Sequence, residues 1–232
     1  MENLDSKKFY VVGNNLALDF VNSIMFELNA DELLGWTVAS GLVEERKADT
    51  LRRKWSKYPL DSILKFRLFL RQTVVKLTEK REISQADIRA INAVLREKSG
   101  YLELRKNTEG FTKGFEIDLG DPGKVLVPIT ESFVDLLCYG NLDYLRICEN
   151  PNCMLYFYDT TKNHRRRWCS MAVCGNRAKA AKFYRKKRAG GIGNSIAVAH
   201  VAAQYHARPV QRQMGIVLAD YADRPDSSGH GS

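Results

Sequence analysis

The chain has 232 residues, of which 44% are hydrophobic, and this length and composition can supply a folded core in one large domain or two small ones. Charged residues interrupt every apolar run before it reaches the roughly 20 residues that span a bilayer, and the polar first eight residues lack a signal-peptide pattern. We therefore expect a cytoplasmic protein without a membrane partner.

The first half of the chain shows the apolar periodicity of helices. We predict helices over residues 14–26, 31–41, 60–80, 84–100 and 128–139. Asp31 is the expected cap of the second helix and Gly41 its stop, and Ser84 with Asp87 three residues later indicates the start of the fourth. Between them, residues 44–57 form a mixed-charge segment for which the pattern predicts no regular element.

Four polar residues lie on or beside the apolar faces of these helices. Asp19 and Asn22 interrupt the first, and we expect both to face solvent or cap a turn, because a buried unpaired carboxylate is costly. Arg67 and Arg71 lie one turn apart on the third helix. An exposed basic edge is the favoured interpretation, and a clamp for a small anionic effector or a pair with Asp19 is the alternative.

Residues 101–119 change to a period near two, with glycines between the apolar positions, which predicts a small β-hairpin. Residues 10–145 therefore form a helical domain with a hairpin insert. This domain contains no histidine, which weighs against most acid-base catalysis, so we expect no enzyme. An enzyme in this domain stays as an alternative, to be supported by a deep pocket that joins Asp19 with Arg67 or Arg71.

Four of the five cysteines follow the pattern C-x4-C-x15-C-x4-C at Cys148, Cys153, Cys169 and Cys174. Two close pairs separated by a loop suit a tetrahedral site, so we predict one structural Zn²⁺ with no open position for a catalytic water. A thiol redox sensor that uses the same cysteines is the alternative. The fifth, Cys138, is expected to be a buried small hydrophobe.

The sequence around these cysteines predicts a treble-clef-like finger over residues 146–189. Residues 155–158 read as one strand of a hairpin, and residues 165–168 as the returning strand. Gly175 is expected to turn the backbone with positive φ near the metal, and Asn176 to cap the helix that follows. The predicted fold class is therefore mainly α, with a helical domain, a small β-hairpin insert and a zinc finger made of a hairpin and a helix.

The positive charge of the chain is concentrated in the same segment. Residues 148–189 contain eleven Lys and Arg against two acids, whereas the rest of the chain has 25 of each sign. Such localisation is typical of proteins that bind nucleic acid, and we predict contacts to duplex DNA. An alternative to DNA binding is that the finger is an RNA-docking or protein-docking module. His164 is expected at the surface or on a phosphate. The predicted DNA-contacting residues are Arg165, Arg166, Arg167, Arg177, Lys179, Lys182, Arg185, Lys186, Lys187 and Arg188.

The segment also resembles the CGNR zinc finger over about forty residues. The matching motifs are Cys148-x4-Cys153, Phe157-x-Asp159-x-Thr161-x-Asn163, Arg166-Arg-Trp-Cys-Ser-Met171 and Cys174-Gly-Asn-Arg177-x-Lys179. Upstream, Leu16-Ala-Leu-Asp-Phe-Val-Asn-Ser23 resembles the ABATE domain that often precedes this finger. The resemblance implies a bacterial, stress-associated, DNA-binding transcription regulator with the four cysteines as zinc ligands. The helical domain would then sense an effector or form a homodimer.

A third unit, residues 190–232, departs from what the resemblance leads us to expect. Residues 195–204 are predicted to form an Ala/Val-rich helix, and residues 224–232 to be disordered. His200 and His206 are six residues apart and do not share a helical face, so we assign no metal to them.

Overall fold

The structure is a computed structural model, and it confirms a mainly helical fold. It describes residues 9, 11–23, 29–98, 100–108, 110–116 and 118–189. The predicted tail, with its helix and its two histidines, lies outside the described residues. Within the described residues no helix is both long and apolar enough to cross a bilayer.

Seven α-helices and two antiparallel hairpins make up the described chain. The helices are α1 (Leu16–Asn22), α2 (Ala30–Ala39), α3 (Ala48–Trp55), α4 (Asp61–Lys80), α5 (Gln85–Arg96), α6 (Leu126–Tyr139) and α7 (Asn176–Ala189). The strands are β1 (Tyr101–Asn107), β2 (Gly110–Glu116), β3 (Leu145–Ile147) and β4 (Tyr156–Tyr158). β1 pairs with β2, as predicted for the insert, and β3 pairs with β4.

Side chains cap the starts of α2 and α5, and the cap of α2 is a different residue from the predicted one. Ser84 and Asp87 form the expected capping box of α5. The prediction of Asp31 as the cap of α2 is wrong. The Asn29 side chain accepts a hydrogen bond from the Glu32 backbone N–H at 2.9 Å, and Asp31 lies within the first turn, where its charge favours the helix N-terminus.

Helix α3 occupies the mixed-charge segment for which no element was predicted. Its buried residues are Ala48, Leu51 and Trp55, three and four apart, so it has a narrow apolar stripe among basic neighbours. The Trp55 indole N–H donates to the Leu119 carbonyl at 2.7 Å. This bond ties α3 to the turn that follows the first hairpin.

Helix α1 lies at the centre of the core, where it packs on α4, α6 and β4. The Phe20 and Trp36 rings lie 5.3 Å apart between their centroids. The same apolar cluster includes Leu145 of β3 and Tyr156 of β4. The helical part and the second hairpin therefore share one core, and the predicted boundary after residue 145 falls at the start of β3.

Candidate metal centre and nucleic-acid interface

The four predicted zinc ligands come together at one point. The Sγ atoms of Cys148, Cys153, Cys169 and Cys174 all lie within 4.8 Å of one another. The Cys153–Cys169 and Cys169–Cys174 separations are 3.7 and 3.6 Å. These distances are close to the roughly 3.8 Å between sulfurs of a tetrahedron with Zn–S bonds of about 2.3 Å. They are far too long for a disulfide, so the donor set fits a closed four-thiolate zinc site.

Protonation of the thiols is coupled within this cluster. The hydrogen bond with Cys169 is the largest influence on Cys153 and lowers its pKa to about 5. The same bond, followed by burial, raises the pKa of Cys169. Burial raises the pKa of Cys174 to about 11. Cys153 therefore ionises more readily than Cys169 and Cys174, and a divalent cation would supply the positive charge that favours the thiolate form of these two.

Backbone hydrogen bonds shape the first ligand loop. The Cys153 N–H donates to the Asn150 carbonyl at 2.8 Å and closes the turn between the two cysteines. The Cys148 N–H donates to the Leu155 carbonyl, and the Cys169 N–H points at the Cys148 sulfur at 3.4 Å. An N–H aimed at a thiolate stabilises its charge, so the loop suits metal ligation.

The hairpin of the finger differs from the predicted one. Residues 165–168 form no strand, so that prediction is wrong, and β4 pairs instead with β3, in the register Leu145 to Tyr158. The strands therefore flank the first cysteine loop rather than the long loop between the cysteine pairs. Asp159 directly follows β4 and begins the long loop that leads to the second cysteine pair.

The entry into α7 also differs from the expected one. The backbone φ of Gly175 is not positive, so the predicted left-handed turn at this residue is wrong. Its role is close packing, because a Cβ there would lie 2.1 Å from the Met171 sulfur. Asn176 does not cap the helix either. A short π-helical turn, Met171–Gly175, precedes α7, and the Ser170 side chain caps that turn by accepting from the Val173 N–H.

Asp159 organises the long loop, and the cysteine pattern alone did not identify this role. Its carboxylate accepts from the Thr161 N–H and hydroxyl at 3.0 and 2.6 Å and from the Arg166 N–H at 2.8 Å. Burial opposes its ionisation, but these hydrogen bonds and the Arg146 charge hold its pKa below the ordinary value. The Asp-x-Thr spacing is the local signal that indicates such a turn.

The Arg166 side chain is directed into the structure rather than to solvent. Its guanidinium lies 4.3 Å from the centre of the Phe157 ring. It donates to the carbonyls of Val12 at 2.9 Å and Trp168 at 3.0 Å, and also to that of Cys169. These contacts join the second ligand loop to the N-terminal segment, and they argue against a phosphate contact for Arg166.

His164 is a loop residue that is fixed from two sides. Its ring stacks on Tyr144, 3.6 Å between centroids with planes 4° apart. Its Nδ1 lies 2.9 Å from the Asp159 carbonyl, and its backbone takes φ of 46°. The half-buried ring stabilises the loop, which differs from the expected surface or phosphate role.

The two cysteine loops, residues 148–153 and 169–174, form a platform at the candidate metal site. Helix α7 follows this platform, and its described side chains are almost all exposed. Its sequence has seven Lys or Arg and no acid among 14 residues. Two aromatic side chains, Phe183 and Tyr184, are 63% and 56% exposed. Within the described chain its main contact is with the turn Met171–Gly175. The exposed basic side chains are Arg177, Lys179, Lys182, Arg185, Lys186 and Lys187.

The remaining predicted DNA-contacting arginines lie beside the metal loops. Arg165 is exposed. Arg167 is also exposed, but it forms an ion pair with Glu149 at 2.6 Å, and its backbone carbonyl accepts from the Glu149 N–H. A polyanion would have to compete with this pair, which is weak because both side chains are exposed to solvent.

We expected Asp19 and Asn22 to face solvent or to cap a turn, and both are buried, so the first of these roles is wrong. The contacts of Asp19 agree with the second role, because its carboxylate binds the backbone just before α1. Asp19 is 5% exposed, and one carboxylate oxygen accepts from the N–H groups of Val12 and Gly13 at 2.8 and 2.7 Å. Asn22 is fully buried and exchanges two hydrogen bonds of 2.8 Å with the Tyr156 backbone. Both side chains satisfy backbone groups at the junction with the finger.

Arg67 and Arg71 are also structural, which overturns the expected basic edge. Arg67 is 6% exposed and donates to the Ser23 carbonyl at 3.0 Å, and burial lowers its pKa to about 10, followed by the Arg71 charge. Arg71 donates to the carbonyls of Val21 and Met154. Since both arginines donate to backbone carbonyls, the geometry gives no support to an effector clamp or an ion pair with Asp19.

The prediction that Cys138 is buried is wrong, because its side chain is exposed.

The fold and the site together define a class of protein, in which a helical domain shares its core with a four-cysteine zinc finger. Residues 14–140 match the ABATE family, described as "Putative stress-induced transcription regulator", and residues 144–187 match the CGNR zinc finger. The chain belongs to the ABATE family, since that match covers more than half of its length, and it carries a CGNR zinc finger. No curated protein shows significant similarity to it.

Proposed function

We propose that this protein regulates transcription by binding duplex DNA through α7. The observation that carries the proposal is the exposure of a helix with seven basic and no acidic residues. An α-helix with its side chains is about 10–12 Å across, which matches the roughly 12 Å width of the major groove. Since α7 projects beyond the ligand loops, no described element has to move before it enters a groove.

One structural Zn²⁺ holds the platform in this proposal. Four sulfurs within 4.8 Å of one another offer ligands for a single ion, and four thiolates complete its coordination. The ion acts on folding and takes no part in a reaction, so the proposal contains no enzymatic step. The helical domain supplies effector sensing or homodimerisation, and its shared core with β3 and β4 supports transfer of such a signal to the finger.

Binding of the zinc-loaded protein to a DNA duplex at several salt concentrations tests the proposal. If about five phosphates are neutralised, the logarithm of the binding constant falls with log salt at a slope of about −4 to −5. The variant Arg185→Glu/Lys186→Glu should reduce that slope by about 2 and weaken binding at low salt. The matched control Lys80→Glu/Arg89→Glu, on exposed sites of α4 and α5, should bind nearly as the wild type does.

Equal weakening in the two variants contradicts a role for α7. Absence of duplex affinity would instead favour the docking-module alternative if the protein binds single-stranded RNA, or if pull-downs recover protein partners after nuclease treatment.

A further inference from the structure

A second group of basic side chains lies on the helical domain, among residues outside the zinc finger. It borders a cleft of about 670 Å³ between the end of α3 and the turn that follows the first hairpin. This volume falls in the range of small-molecule sites, about 300–1,000 Å³. The cleft is lined by four cationic side chains, Arg53, Lys54, Lys57 and Lys124, and by two carboxylates, Asp118 and Asp121.

The charge balance of the cleft favours an anion. The cations exceed the carboxylates by two, and this excess outweighs the roughly half negative charge at the C-terminal end of α3. Asp118 and Asp121 each direct one oxygen to a backbone N–H, of Gly120 at 2.9 Å and of Gly123 at 2.7 Å. Both carboxylates therefore serve partly to shape the turn.

The cations on α3 and just after its end are available for a ligand. Within the part of the chain that the structure describes, no carboxylate forms an ion pair with Arg53, Lys54 or Lys57. In contrast, Arg52 on the same helix pairs with Asp31 and Asp49. Solvent-facing cations without carboxylate partners, gathered at one concavity, are the arrangement that raises local anion concentration.

The walls of the cleft are held in place, and one of them is aromatic. Trp55 is fully buried, and its N–H bond to the Leu119 carbonyl fixes the turn against α3. The Tyr58 ring also lines the cleft and is 44% exposed. An aromatic face beside cationic groups fits a ligand that carries both a ring and negative charge.

We propose that this cleft binds a small ring-bearing dianion, either a phosphate monoester or a dicarboxylate. Arg53 and Lys57 contact its charged groups and Tyr58 its ring. The site lies on α3 and the turn 118–121, whereas the arginines first considered as an effector clamp, Arg67 and Arg71, bind backbone carbonyls. The proposal does not depend on DNA binding by α7.

Calorimetric titration of the full-length zinc-loaded protein tests this site, with phenyl phosphate, phthalate and inorganic phosphate as probes. We expect phenyl phosphate or phthalate to bind with a dissociation constant below about 1 mM, and the probe that binds identifies phosphoryl or carboxylate chemistry. Arg53→Ser/Lys57→Ser should weaken that binding by about tenfold or more. The matched control Lys80→Ser/Arg89→Ser should change it less than about twofold.

Two further variants locate the ligand. Tyr58→Leu should weaken phenyl phosphate or phthalate by about threefold or more and leave inorganic phosphate unchanged, because only the ring contact is lost. Arg185→Glu/Lys186→Glu should bind the probe as the wild type does. Failure of both ring-bearing probes to bind at about 5 mM overturns the proposal. Weakening by the α7 variant alone also overturns it, because the anion then binds the finger.

Discussion

The helical domain and the zinc finger are stabilised by different means. In the helical domain large apolar side chains such as Phe20, Phe66 and Phe133 are fully buried. The separate apolar cluster of the finger consists mainly of three of its cysteines with Leu155 and Phe157. Burial in a core this small contributes little, so we expect metal ligation to supply most of the stability of the ligand loops. Helix α7 adds few contacts to this small cluster, and its described side chains are mostly exposed.

The two regions nevertheless meet through specific polar contacts. Asn22 of α1 binds both backbone groups of Tyr156, and the Tyr158 N–H donates to the Gly13 carbonyl at 2.7 Å. Arg71 of α4 reaches the Met154 carbonyl at 3.1 Å. The finger is therefore docked on the helical core, which fixes the direction in which its platform faces.

Removal of one zinc ligand should have the largest effect of the changes considered, and it should destabilise the finger but not the helical domain. Cys169→Ser is expected to lower bound zinc at least about tenfold, because structural zinc contributes on the order of 10–16 kcal/mol to such a fold. Amide hydrogen exchange should become fast in residues 148–175 and stay slow in α4, whose core is apolar. Metal analysis and exchange mass spectrometry measure both effects.

Cys138→Ser is the matched control, since this exposed thiol lies on α6 outside the cluster, and it should retain zinc and protection. Slow exchange in residues 148–175 of Cys169→Ser would show that ligation does not stabilise the finger.

Disruption of the docking contact should have a smaller effect. Asn22→Ala leaves the Tyr156 N–H and carbonyl buried without their partner, at a cost of about 1–3 kcal/mol for each group. We expect the free energy of unfolding in urea to fall by about 3 kcal/mol. Asn92→Ala, at an exposed site of α5, should change it by less than about 0.5 kcal/mol. Similar values for the two variants would mean that Asn22 does not join the regions.

Features encoded by neighbouring residues were predictable from the sequence. The four cysteines were identified because two short loops set the ligand spacing, and Ser84 with Asp87 because a capping box spans only four positions. The strand β3 was missed since it has three residues and lies before the first cysteine, outside the motif. Its pairing with β4 depends on a register that a three-residue pattern does not specify.

The buried polar residues were mispredicted for a different reason. A carboxylate or guanidinium is expected at the surface unless a partner is known, and the partners here are distant in sequence or are backbone groups. Asn22 and Tyr156 are 134 residues apart, and Arg71 and Met154 are 83 apart. Periodicity did place Asp19 and Asn22 on the apolar face of α1. That position was the available signal that they are buried.

The smallest expected effect concerns the ionisation of Asp19 at the junction between the two regions. Burial raises its pKa to about 6, against the opposing influence of the Gly13 and Val12 N–H groups and the Arg166 charge. Because the folded state holds this proton more tightly than the unfolded state, the resulting stability is fully present below about pH 3.8. It is lost as pH rises through about 6.

Asp19→Asn keeps an oxygen that accepts from both N–H groups but does not titrate, so it isolates this contribution. The unfolding free energy of the wild type relative to the variant should fall by about 1 kcal/mol between pH 5.5 and pH 8. Urea unfolding of both zinc-loaded proteins at each pH measures this difference, and zinc release at low pH affects the two alike. A difference that is constant with pH would mean that the Asp19 carboxyl ionises as easily in the folded protein as in the unfolded chain, and that the N–H groups and Arg166 fully offset its burial.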